Sequence, residues 1–395
     1  MGVFGRWLAP VRDQMTLDEY LRRVREGDAT WAGVNVTPES ALGVSAVFAC
    51  VRAIAEDIGK LPFVVYQANE QQERATTSPY WRLIHDRFNS YQTSQQGREY
   101  LTASALLRGN GFAIKNDMGG QTRELLPVHP DRVRAEQIDD YEVVFYLDGS
   151  SKPLSRLDIF HLPGLTISGP IGVSVIEYAR QTVGNILGAN RHSGTFFGNG
   201  LKPSGVLKHP KSLSKEGQKR LKDQLSHDHG GNRSNSLLLL EEGLEYAPIT
   251  LTNKDSQFLE SRAFEVTEVC RWFRVPPHKI ADLDRATFSN IEHQSIEYVN
   301  DTLMPWAKRW EYAVNQQVIR PNSLYAELLF DALLRGTTLE RYQAYQLAAG
   351  GNAPFMRRSE IRKRENLPPI EGLDEMLTPL NMSGGQEDSN DNAAG

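Results

Sequence analysis

The feature that most constrains the fold is a pair of prolines between two long helical patterns. Apolar residues recur at three- and four-residue steps from Asp255 to Phe273, which predicts a helix. Pro276 and Pro277 end this helix, because proline lacks an amide hydrogen and clashes with the preceding turn. The capping box Ser289-Asn290-Ile291-Glu292 predicts the start of the next helix. The chain therefore encodes two helices joined by a loop, residues 276–288, whose two ends are fixed by strong local signals.

Residues 37–170 carry the patterns of an α+β domain. Thr37-Pro38-Glu39 is a helix-start signal, and the stretch SAVFACVRAIAEDIG after it repeats apolar residues on one face. A second helix is predicted from about Ser94 to Leu107. Strand patterns flank Met118-Gly119-Gly120, which indicates a hairpin, and PFVVYQ, EVVFYL and DIFHLPG predict further strands. Ahead of this domain, residues 1–36 predict one short helix, LDEYLRRVREG, within an arm.

A long helix is predicted from about Ser174 to Phe197, and it contains three glycines. Gly184, Gly188 and Gly194 each cost about 1 kcal/mol relative to alanine inside a helix. Such glycines indicate either a bend or the close approach of a neighbouring backbone. The alternative is a helix that the sequence specifies poorly.

Between the two long helices lies a small module, followed later by a helical C-terminal part. Residues 203–250 give the order strand, helix, strand, strand, with patterns SGVLKH, SKEGQKRLKDQLSHDHG, SLLLLEE and LEYAPI. The helix after the capping box is predicted to reach Val318 with a kink at Pro305. Two further helices are predicted at about 338–349 and 358–366. The polar, glycine-rich residues 381–395 predict a disordered tail.

Composition excludes several classes of protein. The formal net charge is −5 over 395 residues, whereas general nucleic-acid-binding proteins carry a strong basic excess. The longest aliphatic run is four leucines, far short of a membrane span, and the N-terminal stretch lacks the apolar core of a signal peptide. Cys50 and Cys270 lie in apolar helical patterns without a His cluster, so two buried, reduced thiols are expected. A soluble intracellular protein is predicted.

The sequence lacks the motifs of the common enzyme classes. It contains no GxxxxGK[ST] loop for ATP phosphates, no GxGxxG fingerprint and no GxSxG nucleophile motif. His293 and Glu297 stand four residues apart and leave open a hydrolase or nuclease with an unrecognised site, but an exposed polar helix face explains them more simply. His227, Asp228 and His229 could ligate a metal, yet histidine at a helix C-terminus is favourable without one. We therefore predict no enzyme activity, no cofactor and no metal.

One stretch has a charge opposite to that of the whole chain. From Lys202 to Arg233 there are eight basic and three acidic residues, an excess of five positive charges. Lys215, Lys219 and Lys222 share one face of the predicted helix. Either this face is simply solvated, or it docks an acidic partner or passing nucleic acid.

The order of these elements resembles a known family. The resemblance lies in SAVFACVRAIAEDIGKLPFVVY, LLRGNGFAI, FFGNGLKPSGVLKHP, LEEGLEY, FLESRAFEVTEVCRWFRVPPHKI, ATFSNIEHQSIEYVNDTLMPW and ENLPPIEG, which together span about residues 40–375. In these stretches the chain is similar to the portal proteins of tailed bacteriophages, in their compact siphovirus-type branch.

The resemblance implies a fold and a division of the chain into regions. The implied fold is α+β, with a wing, a stem of long helices, a small α/β clip and a helical crown. The implied regions are an arm (1–36), the wing (37–170), a stem helix (171–202), the clip (203–252), a second stem helix (253–275), a tunnel loop (276–288), a kinked tunnel helix returning to the wing (289–336), the crown (337–380) and the disordered tail (381–395).

The resemblance also implies a function and partners. A ring of twelve subunits would sit at one vertex of the capsid, and double-stranded DNA would enter and leave through its axis. The terminase large subunit would dock at the clip and supply the work, and head-tail connector, capsid and scaffold proteins would be further partners, with no membrane. The place of the protein would be the virion, and the host cytoplasm during assembly. A non-viral scaffold or adaptor ring is the other alternative.

Two sets of residues are the expected contact sites. A channel that passes DNA needs weak contacts, because a strongly basic bore would hold a duplex by counterion release. The mixed charge of the tunnel loop suits this need, and its expected channel residues are Lys279, Ala281, Asp282, Leu283, Asp284, Arg285 and Phe288. The expected docking residues of the clip are Lys208, Lys211, Lys215, Lys219 and Lys222.

Overall fold

Helices and sheets share the chain, which confirms the α+β class. The computed structural model describes residues 17–70, 72–138, 143–167, 169–198, 205–208, 217, 219, 245–248, 253–283, 288–330, 333, 338–350, 354–365 and 367–377. The chain divides into two units, Met1–Glu327 and Leu328–Gly395. No helix of this described part is long and apolar enough to span a bilayer.

Most of the predicted helices and strands are present near their predicted places, but the helix predicted from about Ser174 to Phe197 is divided at Ala179. The helices are α1 (Leu17–Glu26), α2 (Pro38–Ala41), α3 (Ser45–Lys60), α4 (Pro79–Trp81), α5 (Ser94–Arg108), α6 (Val175–Tyr178), α7 (Arg180–Gly198), α8 (Asn253–Phe273), α9 (Phe288–Glu297), α10 (Met304–Gln317), α11 (Thr338–Gly350) and α12 (Arg358–Arg364). The strands are β1 (Asp28–Ala29), β2 (Asn35–Val36), β3 (Phe63–Gln67), β4 (Asn110–Met118), β5 (Gln121–Val128), β6 (Val133–Gln137), β7 (Val143–Leu147), β8 (Pro153–Leu154), β9 (Ile159–Pro163), β10 (Gly205–Lys208), β11 (Glu245–Pro248) and β12 (Leu324–Leu328).

The strands form small antiparallel sheets. Strand β4 is the centre of one sheet, with β5 and β9 on its two sides, and β7 lies between β6 and β8 in a second. The β4–β5 hairpin turns at Gly119 and Gly120, whose φ angles of 62° and 76° are the left-handed values that favour glycine. This confirms the predicted hairpin. Strand β3 pairs with β12, and β1 pairs with β2.

Helices α3 and α5 pack against each other as the core of the first unit. The apolar face of α3, including Val47, Ile54 and Ile58, is buried, and Leu101 of α5 is buried opposite. Thr37 caps only the short α2, where its Oγ accepts from the amide of Ser40 at 3.2 Å. The sequence signal at Thr37 therefore marks a short helix that precedes α3, and a turn separates the two.

A buried arginine joins α5 to two other segments. Arg98 Nη1 donates to the carbonyl of Ile84 at 3.2 Å and to Ser94 Oγ at 2.7 Å. Its Nη2 donates to the carbonyls of Gly59 at 2.5 Å and Leu61 at 2.9 Å, at the end of α3. Burial lowers the pKa of Arg98 to about 10, so the guanidinium still carries its charge at neutral pH.

His161 of β9 is held neutral between two sheets. Its ring stacks on Phe112 at 4.8 Å and lies 5.2 Å from Phe145. The amide of Asn110 is oriented by the backbone, since its Nδ2 donates to the Gly172 carbonyl and its Oδ1 accepts from the Gly172 amide. His161 Nε2 lies 2.8 Å from that same Oδ1 and must therefore donate to it. Burial lowers the pKa of His161 to about 3.

The β1–β2 hairpin covers part of α7. The Thr30 and Ala32 side chains meet α7 where it carries glycine, because a Cβ on Gly184 would lie 2.4 Å from Thr30 Cγ2 and one on Gly188 would lie 3.3 Å from Ala32 Cβ. A Cβ on Gly194 would meet no described atom within 4 Å. A neighbouring segment thus approaches the first two glycines closely, but it does so with side-chain atoms and not with the backbone that the sequence predicts. It is the chain's own hairpin, which the sequence analysis placed in an arm.

Ion pairs and hydrogen bonds fasten the same N-terminal segment. Arg23 Nε lies 2.9 Å from Glu177 Oε1, and Arg180 Nη1 lies 3.2 Å from Asp28 Oδ2. The amide of Ser174 donates to the hydroxyl of Tyr20 at 2.7 Å. These contacts join residues more than a hundred positions apart, so α1 and the β1–β2 hairpin belong to the folded unit.

The helix predicted from Ser289 toward Val318 is present but changes its winding before Pro305. Between α9 and α10, residues Tyr298–Leu303 form a π-helical segment. Proline cannot donate the next backbone hydrogen bond, and such π segments commonly relieve the break. Trp310 of α10 is fully buried, and its Nε1 donates to Thr102 Oγ1 of α5 at 2.9 Å. Helix α10 is therefore anchored on the core, and the kink expected at Pro305 stays a prediction.

The small module and the second unit are described in part. Strands β10 and β11 form an antiparallel pair, as the patterns SGVLKH and LEYAPI predict. The predicted helix at 214–230, the SLLLLEE strand and the tail at 381–395 lie outside the described residues, apart from Gly217 and Lys219. In the second unit, Arg341 Nε lies 2.8 Å from Glu365 Oε1, which joins α11 to the end of α12.

The neutral His161 predicts a specific acid sensitivity. Its pKa is lower in the folded chain than its ordinary value of about 6.5, so the unfolded chain takes up the proton first. The stability from this group is complete above pH 6.5 and is lost as the pH falls toward 3, by about 1.4 kcal/mol per pH unit.

We expect His161→Gln, which keeps a donor but does not titrate, to flatten the pH dependence of the free energy of unfolding between pH 6.5 and 4. Urea unfolding at several pH values measures this slope. His85→Gln, which makes the same substitution at an exposed position, is the matched control. Equal slopes in wild type and His161→Gln would contradict the assignment.

The glycines of α7 predict opposite effects of one substitution. Gly184→Ala should destabilise the fold by about 1–3 kcal/mol through overpacking, since Thr30 Oγ1 is bonded to the Val34 carbonyl at 2.9 Å and cannot turn away freely. Gly194→Ala should stabilise it by about 0.5–1 kcal/mol through helix propensity. Denaturant midpoints measure both, and a stabilising Gly184→Ala would mean that the hairpin does not rest on α7.

Candidate functional site

The candidate site begins where α8 ends. The helix stops at Phe273, and Arg274 adopts a left-handed φ of 57°. The amide of Val275 then bonds back to the carbonyl of Cys270 at 3.0 Å. This closes the helix just before the proline pair, as the sequence predicts. The hydroxyl of Thr302 donates to the carbonyl of Arg274 and joins this turn to the π-helical segment.

The first part of the loop is a folded turn. Pro277–Ile280 form one turn of 3-10 helix, with Pro276 as its extended N-terminal flank. Ala281 ends it in a left-handed conformation, φ 65°, which costs a non-glycine residue free energy. The amide of Asp282 donates to the carbonyl of Pro277 at 3.1 Å. The described half of the predicted tunnel loop therefore has a defined backbone.

A histidine fastens this turn to the next helix. His278 Nδ1 lies 2.9 Å from Gln294 Oε1, and its Nε2 lies 3.4 Å from Ser295 Oγ. Lys279 Nζ lies 5.2 Å from the centre of the Tyr298 ring, within the range of a cation–π contact. The turn is thus held against α9 and the π-helical segment, although its sequence predicted only a break between helices.

The predicted channel residues fall into three groups. Lys279, Ala281 and Leu283 are exposed, Leu283 at 59%, and Asp282 is half-buried. Asp284 and Arg285 lie outside the described residues, and Phe288 is the first residue of α9, with its side chain outside them. The structure thus brings Lys279, Ala281, Asp282 and Leu283 together on one short turn. Their contact with DNA stays a prediction.

The predicted clip lysines are described in part. Lys208 ends β10, where its backbone pairs with Glu245. Lys219 is exposed, and Lys211, Lys215 and Lys222 lie outside the described residues. The charge of this module is therefore known from the sequence, and its docking role stays a prediction.

The structure offers one cluster of metal-ligand types in its described part. Donor atoms of Glu39, His129 and Asp131 lie within 4.8 Å of one another. The guanidinium of Arg108, however, pairs with Glu39 and with Asp131, the latter at 3.0 Å. Two carboxylates that share a buried arginine already have their counter-charge, so this cluster does not fit a metal ion. His293 and Glu297 of the hydrolase hypothesis are both exposed on α9.

Sequence reasoning missed the contacts that assemble the site. The two cysteines, Cys50 and Cys270, are both buried and free, as the sequence predicts, and they lie on α3 and α8, which pack against each other. Sequence reasoning also gave His278 no role. Helical periodicity reports which face of a helix is apolar, but not which distant helix covers that face.

The role of His278 can be tested by amide exchange. We expect His278→Ala to speed exchange at Ala281 and Asp282, because their amides bond to the carbonyls of the 3-10 turn that His278 fastens. Hydrogen-exchange mass spectrometry of residues 275–283 measures the change. His293→Ala, at an exposed position of α9, is the control. Unchanged exchange in His278→Ala would show that the prolines alone hold the turn.

Comparisons with known proteins cover most of the chain. The family model for phage portal proteins matches residues 45–366. The chain is 29% identical over 351 residues to the portal protein of Enterobacteria phage HK97, with 86% of this chain and 82% of that protein covered. It is 29% identical over 382 residues to the probable portal protein of Streptomyces phage phiC31, and the match covers 90% of this chain and 82% of that protein.

A solved structure shows the same fold. The chain is similar, with a TM-score of 0.59 and 22% identity, to a chain in the neck of a native gene transfer agent particle computed with C12 symmetry. The similarity covers 84% of this chain and 92% of the other. Because the family model matches most of the chain in one continuous span that includes the α8–loop–α9 region, the chain belongs to the phage portal protein family.

Proposed function

We propose that this chain forms a ring at one vertex of a capsid and serves there as the conduit for double-stranded DNA during packaging and ejection. The observation that carries the proposal is the family match over residues 45–366, which includes every long helix of the first unit. The structural similarity to a neck chain computed with C12 symmetry supports a ring of twelve subunits. The virion is the corresponding location.

The regions of the chain would divide this work. In the proposal the α+β part is the wing, α7 and α8 form the stem, and β10 and β11 belong to the clip. The basic stretch from Lys202 to Arg233 would dock the terminase large subunit and later the head-tail connector. The ring itself would be no enzyme, since the sequence carries no phosphate-binding loop and the packaging motor supplies the energy.

The loop after α8 would line the channel. Its described residues combine one lysine, one aspartate and the anchored His278 with apolar side chains, and Asp284 and Arg285 add a further opposite pair. Such a surface has little net attraction for phosphates, so a moving duplex would be guided without being held. The anchored turn at residues 277–280 would fix the position of the first part of the loop relative to α9.

A ring is the first consequence to test. Negative-stain electron microscopy and sedimentation of the purified chain should show closed rings, and a chain that remains monomeric across protein and salt concentrations would remove the basis of the proposal. A ring with no axial opening wide enough for a duplex would retain the oligomer but refute the conduit.

Charge in the loop should control the movement of DNA. We expect the double substitution of Asp282→Lys and Asp284→Lys to slow packaging, and to slow it more at low salt, where phosphate attraction is strongest. The measurement is packaged DNA per capsid over time at two salt concentrations. Asp282→Asn with Asp284→Asn is the matched control, which removes the same carboxylates without adding positive charge.

The outcomes separate three roles for the loop. Slower packaging with intact rings supports a channel surface. Packaging at the wild-type rate in both salts would show that these positions do not face the DNA. Rings that fail to assemble in the lysine variant but not in the asparagine variant would instead place the loop at a subunit contact.

A further inference from the structure

A small cavity lies between α1 and the start of β6. Its volume is about 220 Å³, below the roughly 300–1,000 Å³ of pockets that hold drug-sized ligands. One side is formed by α1, and the other by the 3-10 turn Pro130–Arg132 and the first residues of β6. The end of α5 and the start of β4 also contribute to the lining. A ligand of this cavity is therefore a small one.

Arginine is the most frequent residue type in the lining. Five arginines line the cavity against two acidic residues, which leaves an excess of three positive charges on a chain whose net charge is −5. The charged lining residues are Arg22, Arg25, Arg108, Arg132, Arg134, Asp131 and Asp148. A concave surface with this excess attracts anions.

Arg108 is the buried member of this set and is already neutralised. Its Nε lies 3.0 Å from Asp131 Oδ1, and its guanidinium also pairs with Glu39. Because Asp131 is occupied by Arg108, it does not repel an anion in the cavity as a free carboxylate would. The charge of a ligand must therefore be met by the other arginines.

Four exposed arginines supply the remaining charge. Arg25 and Arg134 each lie close to a glutamate of their own segment, at 3.5 and 4.0 Å, and exposed pairs of this kind contribute little. Within the described residues, no carboxylate lies within ion-pair distance of Arg22 or Arg132. A guanidinium presents a planar fork of donors that matches the oxygens of a phosphate. These two arginines, one on α1 and the other before β6, are therefore the expected ligands of an anion.

The apolar part of the lining is fixed to the core. Leu21 of α1 packs against the cluster that contains Phe112 and Val133, and all three residues line the cavity. Hydrogen bonds formed against such a wall are electrostatically stronger than bonds in open water. The contacts of Arg23 and Tyr20 already fasten α1 to the rest of the unit, so a ligand finds both sides of the cavity in place.

One carboxylate of the lining remains available. The amide of Asp148 donates to the carbonyl of Arg132 at 2.7 Å, which places the two residues side by side. Among the residues that the structure describes, no cationic side chain lies within ion-pair distance of the Asp148 carboxylate. An ionised carboxylate only accepts hydrogen bonds, so the ligand that suits this lining carries a proton donor as well as anionic oxygens.

Inorganic phosphate has this combination. At neutral pH the free ion keeps at least one O–H group, whereas sulfate has none. A phosphate monoester loses its last acidic proton with a pKa of about 6 and is mostly without one slightly above neutral pH. The lining therefore favours the free phosphate ion over both.

We propose that the cavity between α1 and β6 binds one inorganic phosphate ion. Arg22 and Arg132 donate to its oxygens, and the carboxylate of Asp148 accepts from its O–H group. The bound ion links α1 to the start of β6. This inference concerns a single chain and does not depend on the proposed ring or on the passage of DNA.

Calorimetric titration of the full-length chain tests the binding. Sodium phosphate is titrated slightly above neutral pH, and sodium chloride keeps the ionic strength constant. We expect saturable binding of one phosphate per chain, and at least about tenfold weaker binding of sulfate and methyl phosphate, because each lacks the hydrogen bond to Asp148. Absence of saturable phosphate binding in the wild-type chain would overturn the inference, and so would equal affinities for phosphate and sulfate.

Substitutions separate the roles of the lining residues. Arg22→Gln and Arg132→Gln should each weaken phosphate binding by about tenfold or more, since each removes a charge-assisted hydrogen bond. Arg123→Gln changes an exposed arginine that does not line the cavity and is the matched control. Asp148→Asn replaces a group that only accepts by one that also donates, so sulfate should then bind at least as well as phosphate.

Two results with these variants would contradict the assignment. An equal loss of binding in Arg123→Gln would show that general surface charge, and not the cavity, holds the ion. A preference for phosphate that persists in Asp148→Asn would show that the carboxylate does not accept the proton of the ion.

Amide exchange locates the ion without any substitution. Saturating phosphate should slow exchange within residues 17–26 and 130–134, the two segments that the ion joins. Slower exchange elsewhere, with no change in these segments, would refute the site. A short DNA duplex that displaces phosphate and protects the same segments would assign the arginines to a nucleic-acid backbone instead. These wild-type measurements decide the question even if a variant fails to fold.

Discussion

The packing of the first unit depends on the hydrogen bonds that one buried guanidinium, that of Arg98, donates to backbone carbonyls. The cost of burying the charge of Arg98 is offset by the hydrogen bonds that its guanidinium donates to carbonyls at the end of α3 and in the segment around Ile84. These carbonyls are the groups that a helix end leaves without partners. Unmade hydrogen bonds at such groups cost about 1–3 kcal/mol each when they are buried. One side chain on α5 thus fixes where α3 ends, where β3 begins and how both meet α5.

Local signals were sufficient for most of the elements. The periodic apolar face of α3, the proline pair after α8 and the glycine turn between β4 and β5 each act within a few residues, and each was predictable from the sequence. The small hairpin before α2 was not, because two-residue strands have no periodicity to detect. The glycines at 184 and 188 carried the missing information, but they indicate only that something lies close, not which segment it is.

The candidate site was predictable in place but not in detail. The prolines and the capping box located the loop, since both act on the backbone of their own neighbours. The bonds of His278 to α9 and the packing of α3 against α8 depend on how distant segments come together, and no local rule specifies that. The family was recognised from the order of many short patterns along the chain and not from any single motif.

The π-helical segment before Pro305 determines which face of α10 packs against the core. In an α-helix each residue turns the chain by about 100°, so a segment with one residue more per turn rotates all that follows it. Ile296 of α9 is exposed, whereas Trp310 of α10 is fully buried on the core. Because of this one wide turn, the exposed face of α9 and the buried face of α10 need not lie on the same side of the helix. Losing one residue there would twist α10 by roughly a quarter of a turn and carry Trp310 away from its pocket.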